Sequence, residues 1–442
     1  MSLAEIPKTG LYGYPALETD ENPESWIPVI HELYPNGDLP LAGLFLSQPK
    51  DKATSDTFNW WERPYQMQIG EMTAGQVYTD MALATAYTSG GVAGTVLYVK
   101  MTAAFAGIFT NNDIVQFIDE SYYQVDTRGI VTGYHINGAS SYVIVKLLQT
   151  DTWYATSTYN IATADKLVLI GNAKPQAGSP SEAKTYNPTK RTNVTQILDQ
   201  TLDISRTLMQ TTTLRTGNKY EDLRKVALQL FMQKMERSLI SGWLDESVGA
   251  NGQAHNISGG IEYFLQTYAS DNVVNYDLNA DARWSGKDWI VGGKDFLDTY
   301  IEQVFRFGES QTRMAVCGSM ALKGLSDLAT AYGEYSLTPT FNRFGMRVTR
   351  LDTPNGSIEL KKHPLWNSND RDRHRMMIIP TENINAVVMQ DIQFHPDTEW
   401  QSGGLNKFDG KKEWFLAELG WKIMHPETFG DFFGIGSDNA VT

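Results

Sequence analysis

Three Gly-Lys pairs, starting at Gly286, Gly293 and Gly410, mark where a phosphate-cradling loop could sit. Such a loop needs a glycine five residues earlier, so that backbone amides can wrap the phosphates. Asp281, Asp288 and Leu405 stand there instead. Gly434-Ile-Gly436-Ser-Asp-Asn439 comes nearest to a dinucleotide fingerprint, yet it lacks the third glycine and follows no strand-helix-strand pattern. There is no Gly-x-Ser-x-Gly elbow and no His-Glu-x-x-His. The seven histidines, at 31, 135, 255, 363, 374, 395 and 425, never fall at metal-ligand spacing on one helix. Asp277, Asn279 and Asp281 imitate the start of a calcium loop, but Ala282 replaces its turn glycine and Asp288 its closing bidentate Glu. An Asx-rich turn accounts for them. The one cysteine, Cys317, excludes an intramolecular disulfide and, after Met314-Ala315-Val316, reads as a buried, inert thiol. No catalytic residue, cofactor or metal is expected.

Two clusters call for something other than catalysis. Arg371-Asp-Arg-His-Arg375 is the densest basic run, and its interleaved Asp370 and Asp372 make it a salt-bridged loop. Trp60 and Trp61 are adjacent, so on a strand their rings face opposite ways and one sheet face cannot bury both. Core packing on both faces, or a contact with another subunit, would satisfy the pair. The chain's 442 residues carry 37 Lys and Arg against 51 Asp and Glu, a net charge of −14. A protein whose main task is gripping phosphate backbone needs positive faces, so that class is disfavoured. The 41% hydrophobic and 20% charged content describes a folded chain.

The elements that must position these residues fall into four stretches. Residues 1–49 hold seven of the 17 prolines, which forbids a long helix and disfavours central strands. Apolar anchors such as Trp26, Ile30 and Phe45 are scattered among them, so the stretch reads as an extended arm that needs a surface. Its own subunit or a neighbour could supply that surface. Residues 58–190 read as β, with runs at 95–100, 113–118, 122–125 and 142–148 and turn signals at Asn111-Asn112, Arg128-Gly129 and Asn137-Gly138. From Tyr220 the period becomes helical, with Leu223, Val226, Ala227, Leu230 and Met235 as apolar positions. Asn218 and Glu221 resemble a capping box, and Gly242 stands where a glycine would stop the helix. Residues 263–442 alternate: strands at 289–291 and 314–317, each followed by a helix, then a hairpin around Pro354-Asn355-Gly356 and further strands. The fold class is α+β.

Arg191-Thr-Asn193-Val-Thr195-Gln196-Ile197, followed by the helix from Glu221 to Gly242, resembles the Asn-Tyr-Thr-Gln-Ile segment and long spine helix of the major capsid (major head) proteins of tailed bacteriophages. Glu418-Leu-Gly420-Trp, with His425-Pro426 and Phe429-Gly430, is similar to that family's closing strands. Phe109-Thr-Asn-Asn-Asp113-Ile resembles its Phe-x-x-Gly-Asp pattern, with Asn112 in place of glycine. The resemblance implies the shell fold shared with herpesvirus capsid floors. Residues 1–57 would then be an N-terminal arm and 58–190 an extended loop enlarged by a β-rich insertion. The peripheral domain with its spine helix would span 191–262, the axial domain 263–384, and 385–442 would return to the peripheral domain.

The same resemblance implies a structural protein that self-assembles into hexamers and pentamers of an icosahedral head. Its partners would be copies of itself, packaged double-stranded DNA in weak nonspecific contact, a portal, and cement or decoration proteins. A negative lining tolerates DNA that must slide while it is packed. The location implied is the virion capsid, assembled in the host cytoplasm. Some members of that fold cross-link Lys to Asn; Lys100 and Lys146 lie in the β stretch, with no partner identified by sequence. Trp26, Ile30, Phe45, Trp60 and Trp61 are the candidate assembly contacts. Met1-Ser-Leu-Ala-Glu-Ile-Pro lacks the positive and apolar regions of a secretory signal, and no run of ~18 apolar residues occurs. A soluble product with no membrane partner and no removed propeptide is expected. Two other classes stay open: a decoration or tail protein, and a soluble enzyme with a dispersed site.

Overall fold

The computed structural model describes residues 41, 43, 49–72, 75–151, 160–178, 182–210, 219–278, 281–332, 336–343, 346–396 and 410–437. Contacts divide the chain into two compact units, Met1–Glu62 with Lys190–Thr442, and Arg63–Thr189. No helix among the described residues is long and apolar enough to cross a membrane.

The long helix of the first unit runs Lys219–Ser241, with Glu221 and Asp222 in its first turn, where acidic groups complement the helix dipole. Asn218 of the expected capping box lies outside the described residues. The buried stripe is Ala227, Phe231, Met235 and Leu239, four residues apart each time. Val226 and Leu230, expected on that face, point outward. Two apolar stripes lie one residue apart on this helix, and the aromatic one wins because Phe231 meets Phe415, ring to ring at 6.1 Å. Gly242 follows the last turn, and its need for glycine is a close approach: a Cβ there would lie 2.4 Å from the carbonyl oxygens of Ser238 and Ser258.

The helix packs on a four-stranded sheet ordered Asp51–Lys52, Ile384–His395, Gly410–Ile423, Gln196–Ser205. The first pair is parallel and the others antiparallel. A second, mixed sheet of seven strands is ordered Val273–Asn275, Gly430–Phe433, Met376–Ile379, Thr312–Cys317, Gly356–Lys362, Met346–Thr353, Ser336–Arg343. Side chains alternate across it. Met314, Val316, Met377 and Ile379 enter the core that holds the long helix. Ala315, Cys317, Met376 and Ile378 enter another core, with the helices Trp289–Phe305 and Ser319–Tyr332. Cys317 is fully buried, which pushes its thiol pKa far up.

Trp289-Ile290-Val291 opens a helix and is not a strand. A three-residue apolar run fits either period, and here Trp289, Gly293 and Phe296 share the inward face. Gly293 faces the Trp289 indole so closely that a Cβ would lie 2.7 Å from it. At the other end of this helix Arg313 is buried, donating from Nη1 to the carbonyls of Val304 (2.7 Å) and Thr428 (2.6 Å) and from Nη2 to that of Phe307 (2.9 Å). Desolvation lowers its pKa to about 10.

The second unit is an antiparallel sheet ordered Val77–Tyr78, Val96–Lys100, Tyr142–Leu147, Asp126–His135, Asp113–Ile118, Lys166–Asn172, Ile69–Glu71. Its core includes Leu97, Val99, Phe109, Val115, Phe117, Val143 and Val145. Tyr122–Val125, expected as strand, is a turn with Tyr123 90% exposed, because the pairing with Asp113–Ile118 starts only at Asp126. Arg128-Gly129, read as a turn, lies inside the strand, where Val145 presses so close that a Cβ would meet it at 2.2 Å. Asn112 takes φ 69°, in the left-handed region that asparagine tolerates better than most residues. It thus does the turn-making work of the glycine it replaces.

Candidate functional site

Two blocks far apart in sequence, 191–197 and 418–430, meet in the first unit. Asn193 is fully buried and saturates its side-chain amide. Nδ2 donates to the carbonyls of Gly259 (2.9 Å) and Trp421 (2.7 Å), while Oδ1 accepts from the amides of Val194 and Gly259 (each 2.9 Å). Thr195 Oγ1 donates to Glu418 Oε1 (3.1 Å), and Gln196 Oε1 accepts from Ser238 Oγ on the long helix (3.0 Å). Gly420 leaves no room for a side chain: a Cβ would lie 2.5 Å from the Val194 carbonyl. Ile197 is exposed. The motif residues therefore bolt the start of the strand Gln196–Ser205, the long helix and the strand Gly410–Ile423 together.

A second network surrounds Glu62, which is buried. Its Oε1 accepts from Trp60 Nε1 (2.7 Å) and the His425 amide (3.2 Å), and its Oε2 from Arg191 Nε (3.2 Å). The Arg191 guanidinium lies 3.7 Å from the Tyr268 ring centroid. His425 holds φ 51°, a backbone state uncommon for a non-glycine residue, and the Glu62 bond fixes it. Trp60 is 6% exposed and packs against Phe58 and Phe264, whereas Trp61 is 66% exposed. Its own subunit's core thus claims Trp60, and Trp61 is the member of the pair free for another surface. Trp26, Ile30 and Phe45 lie outside the described residues.

The basic cluster is salt-bridged through Asp370 and Asp372 as expected, on a short helix Asp370–Arg373, but its last arginine does more. Arg375 is buried and reaches past its neighbours to Asp431, at 2.7 and 2.6 Å, and to Glu262 at 2.7 Å. It is a bidentate pair of the kind guanidinium geometry favours. Asp372 stands 3.9 Å away, and Arg373 pairs with Asp370 at 3.1 Å. Sequence reading had no way to supply Asp431 or Glu262. A buried pair that it also missed joins His363 Nε2 to Glu236 Oε1 at 2.8 Å. Asp281 of the calcium-like run is engaged by Arg283 at 2.7 Å, which holds its carboxyl below the usual range. Among the described residues, no group of three or more His, Cys, Asp or Glu could hold a metal ion. What this arrangement can do is lock segments distant in sequence together within the first unit.

A family model described as SU10 major capsid protein matches residues 16–436. The chain belongs to the SU10 major capsid protein family. The resemblance carried by the 191–197 and 418–430 blocks is thereby confirmed, and the family is one of structural virion proteins, not of enzymes. A curated "Major capsid protein" of Pseudomonas phage PaMx41 is 22% identical over 256 residues, 56% of this chain. The match spans 57% of that relative's length. Among solved structures the chain is similar to one from Mycobacterium phage Patience, at 10% identity over 59% of this chain and 75% of that one, TM-score 0.37. It is also similar to the SrpI encapsulin complex from Synechococcus elongatus PCC 7942, at 9% identity over 57% of this chain and 77% of that one, TM-score 0.36.

Proposed function

We propose that the chain is the shell subunit of an icosahedral phage head, self-assembling into hexamers and pentamers around double-stranded DNA. The observation that carries this reading is the capsid family match over residues 16–436. The net charge of −14 supports a lining that does not hold DNA tightly. In this reading the arm, 1–57, is anchored on its own subunit at Leu41 and through the strand Asp51–Lys52, and it orders against neighbouring subunits through Trp26, Ile30 and Phe45. Residues 58–190 form the extended loop with its β insertion, 191–262 the peripheral domain, 263–384 the axial domain, and 385–442 the return. Trp61 adds an exposed aromatic contact. Portal and decoration proteins would join the shell, which would assemble in the host cytoplasm.

Negative-stain imaging of the purified protein tests the proposal. Closed particles with pentameric vertices are expected; a helical array or a small soluble oligomer would overturn it. Limited proteolysis tests the arm. Cleavage near Lys8 should be fast in dissociated subunits and slow in shells, and equal protection there in both would end the inter-subunit role. Lys50 and Lys52 should be slow in both, because Lys50 pairs with Asp391 and Lys52 lies in the sheet strand Asp51–Lys52.

A further inference from the structure

Leu41 is buried in the core of the first unit, beside the long helix. Its amide donates to Glu236 Oε1 at 3.1 Å, and that same oxygen faces His363 Nε2 at 2.8 Å. Both Glu236 and His363 are 0% exposed. Three segments distant in sequence therefore converge on one carboxylate: the chain that continues from the N-terminal arm, the long helix, and the residues just after the strand Gly356–Lys362. A buried carboxylate costs heavily unless donors surround it, so this one must have a use for its position. Nδ1 of His363 is buried with no partner among the described residues. A proton on Nδ1 would leave a buried N–H without an acceptor, so the ring must carry it on Nε2 and donate to Glu236. The face of the imidazole is closed by Trp366, ring centroids 5.2 Å apart.

We propose that Glu236 is a latch that pins the chain at Leu41 into the core of the first unit, with His363 as the positioning residue that orients its carboxylate. The inference is independent of the shell reading, so particle imaging and the experiment below can fail separately.

The test is hydrogen exchange by mass spectrometry on the full chain, comparing the parent with Glu236→Gln and Glu236→Leu, together with ¹⁵N spectra of histidine-labelled protein. In Glu236→Leu the Leu41 amide loses its acceptor and should exchange about 10–100-fold faster, as expected for a lost bond to a charged group. Peptides within 219–241 should keep their protection, because leucine fills a similar volume. Glu236→Gln keeps a carbonyl oxygen whose two lone pairs can accept from both Leu41 and His363. Its signature is Leu41 protection close to the parent's with the His363 proton still on Nε2. Unchanged Leu41 exchange in Glu236→Leu with the helix intact would overturn the proposal. So would equal loss of protection along Leu41 and the helix in both variants, which would make Glu236 a mere support of the core. Should the leucine variant fail to fold, loss of Leu41 protection in Glu236→Gln with the His363 proton still on Nε2 would itself refute the latch.

Discussion

Replacing Phe231 and Leu230 separately by alanine distinguishes the two stripes of the long helix, because the residues are adjacent in sequence and differ in what they touch. Phe231 is 0% exposed and stacks toward Phe415 at 6.1 Å. Its truncation removes a whole ring from a closed core and should cost about 3–5 kcal/mol. Leu230 is 44% exposed. Roughly half of a leucine's full burial of ~1.5–3 kcal/mol is at stake there, so its truncation should cost about 1 kcal/mol. For a large unit each kcal/mol moves the melting temperature by about 2 °C. The apparent midpoint of dissociated subunits, followed by near-UV circular dichroism at one scan rate, should therefore drop about 6–10 °C for Phe231→Ala and about 2 °C for Leu230→Ala. Leu230→Asp should also stay soluble, since its carboxylate keeps access to water. Equal shifts for the two alanine variants, or aggregation of Leu230→Asp alone, would mean that the helix is rotated by a hundred degrees from its observed setting.

Asn193→Asp should fail to give soluble protein although it is nearly isosteric, because a carboxylate cannot donate to the Gly259 and Trp421 carbonyls; soluble yield against Asn193→Ala checks this. Tyr220, whose hydroxyl donates to Glu413, has its pKa raised by desolvation and that bond to about 12. A phenol favoured in its neutral form contributes stability that is complete below the unfolded value near 10 and is lost as pH rises toward 12. Tyr220→Phe should flatten that loss in denaturation midpoints taken between pH 9 and 12, and a parallel curve would contradict it. Trp61→Ala should leave subunit melting unchanged but reduce particle yield in sizing chromatography, whereas Trp60→Ala should lower the melting temperature itself.

The long helix was legible because 23 residues of helical period leave no rival, down to the glycine after it. Which face it buries was not, since Val226 and Leu230 offer as good a pattern as Ala227 and Phe231 until Phe415 arrives from another strand. Trp289-Ile-Val was ambiguous for the opposite reason: three residues are too few for a period. Tyr122–Val125 has strand-like composition, but the position of its partner strand decides pairing. The block 191–197 was legible as a resemblance, and the four bonds of Asn193 give it a physical reason. Arg375 with Asp431 and Glu262, and Glu236 with His363, lie 56 to 127 residues apart, and no local pattern can announce such pairs.

The strands Thr312–Cys317 and Met376–Ile379 form a party wall, since alternate side chains along each belong to two different cores. A wall shared in this way leaves no soft seam between the compartments it divides. Load applied to the helices on one side passes directly through backbone hydrogen bonds to the packing on the other, and neither side can loosen without disturbing its neighbour. The stiffness then resides in the six residues Thr312–Cys317 and the four of Met376–Ile379. A bulky substitution at Ala315, which faces the core of the helices Trp289–Phe305 and Ser319–Tyr332, would reach the long helix's core only by displacing that shared backbone.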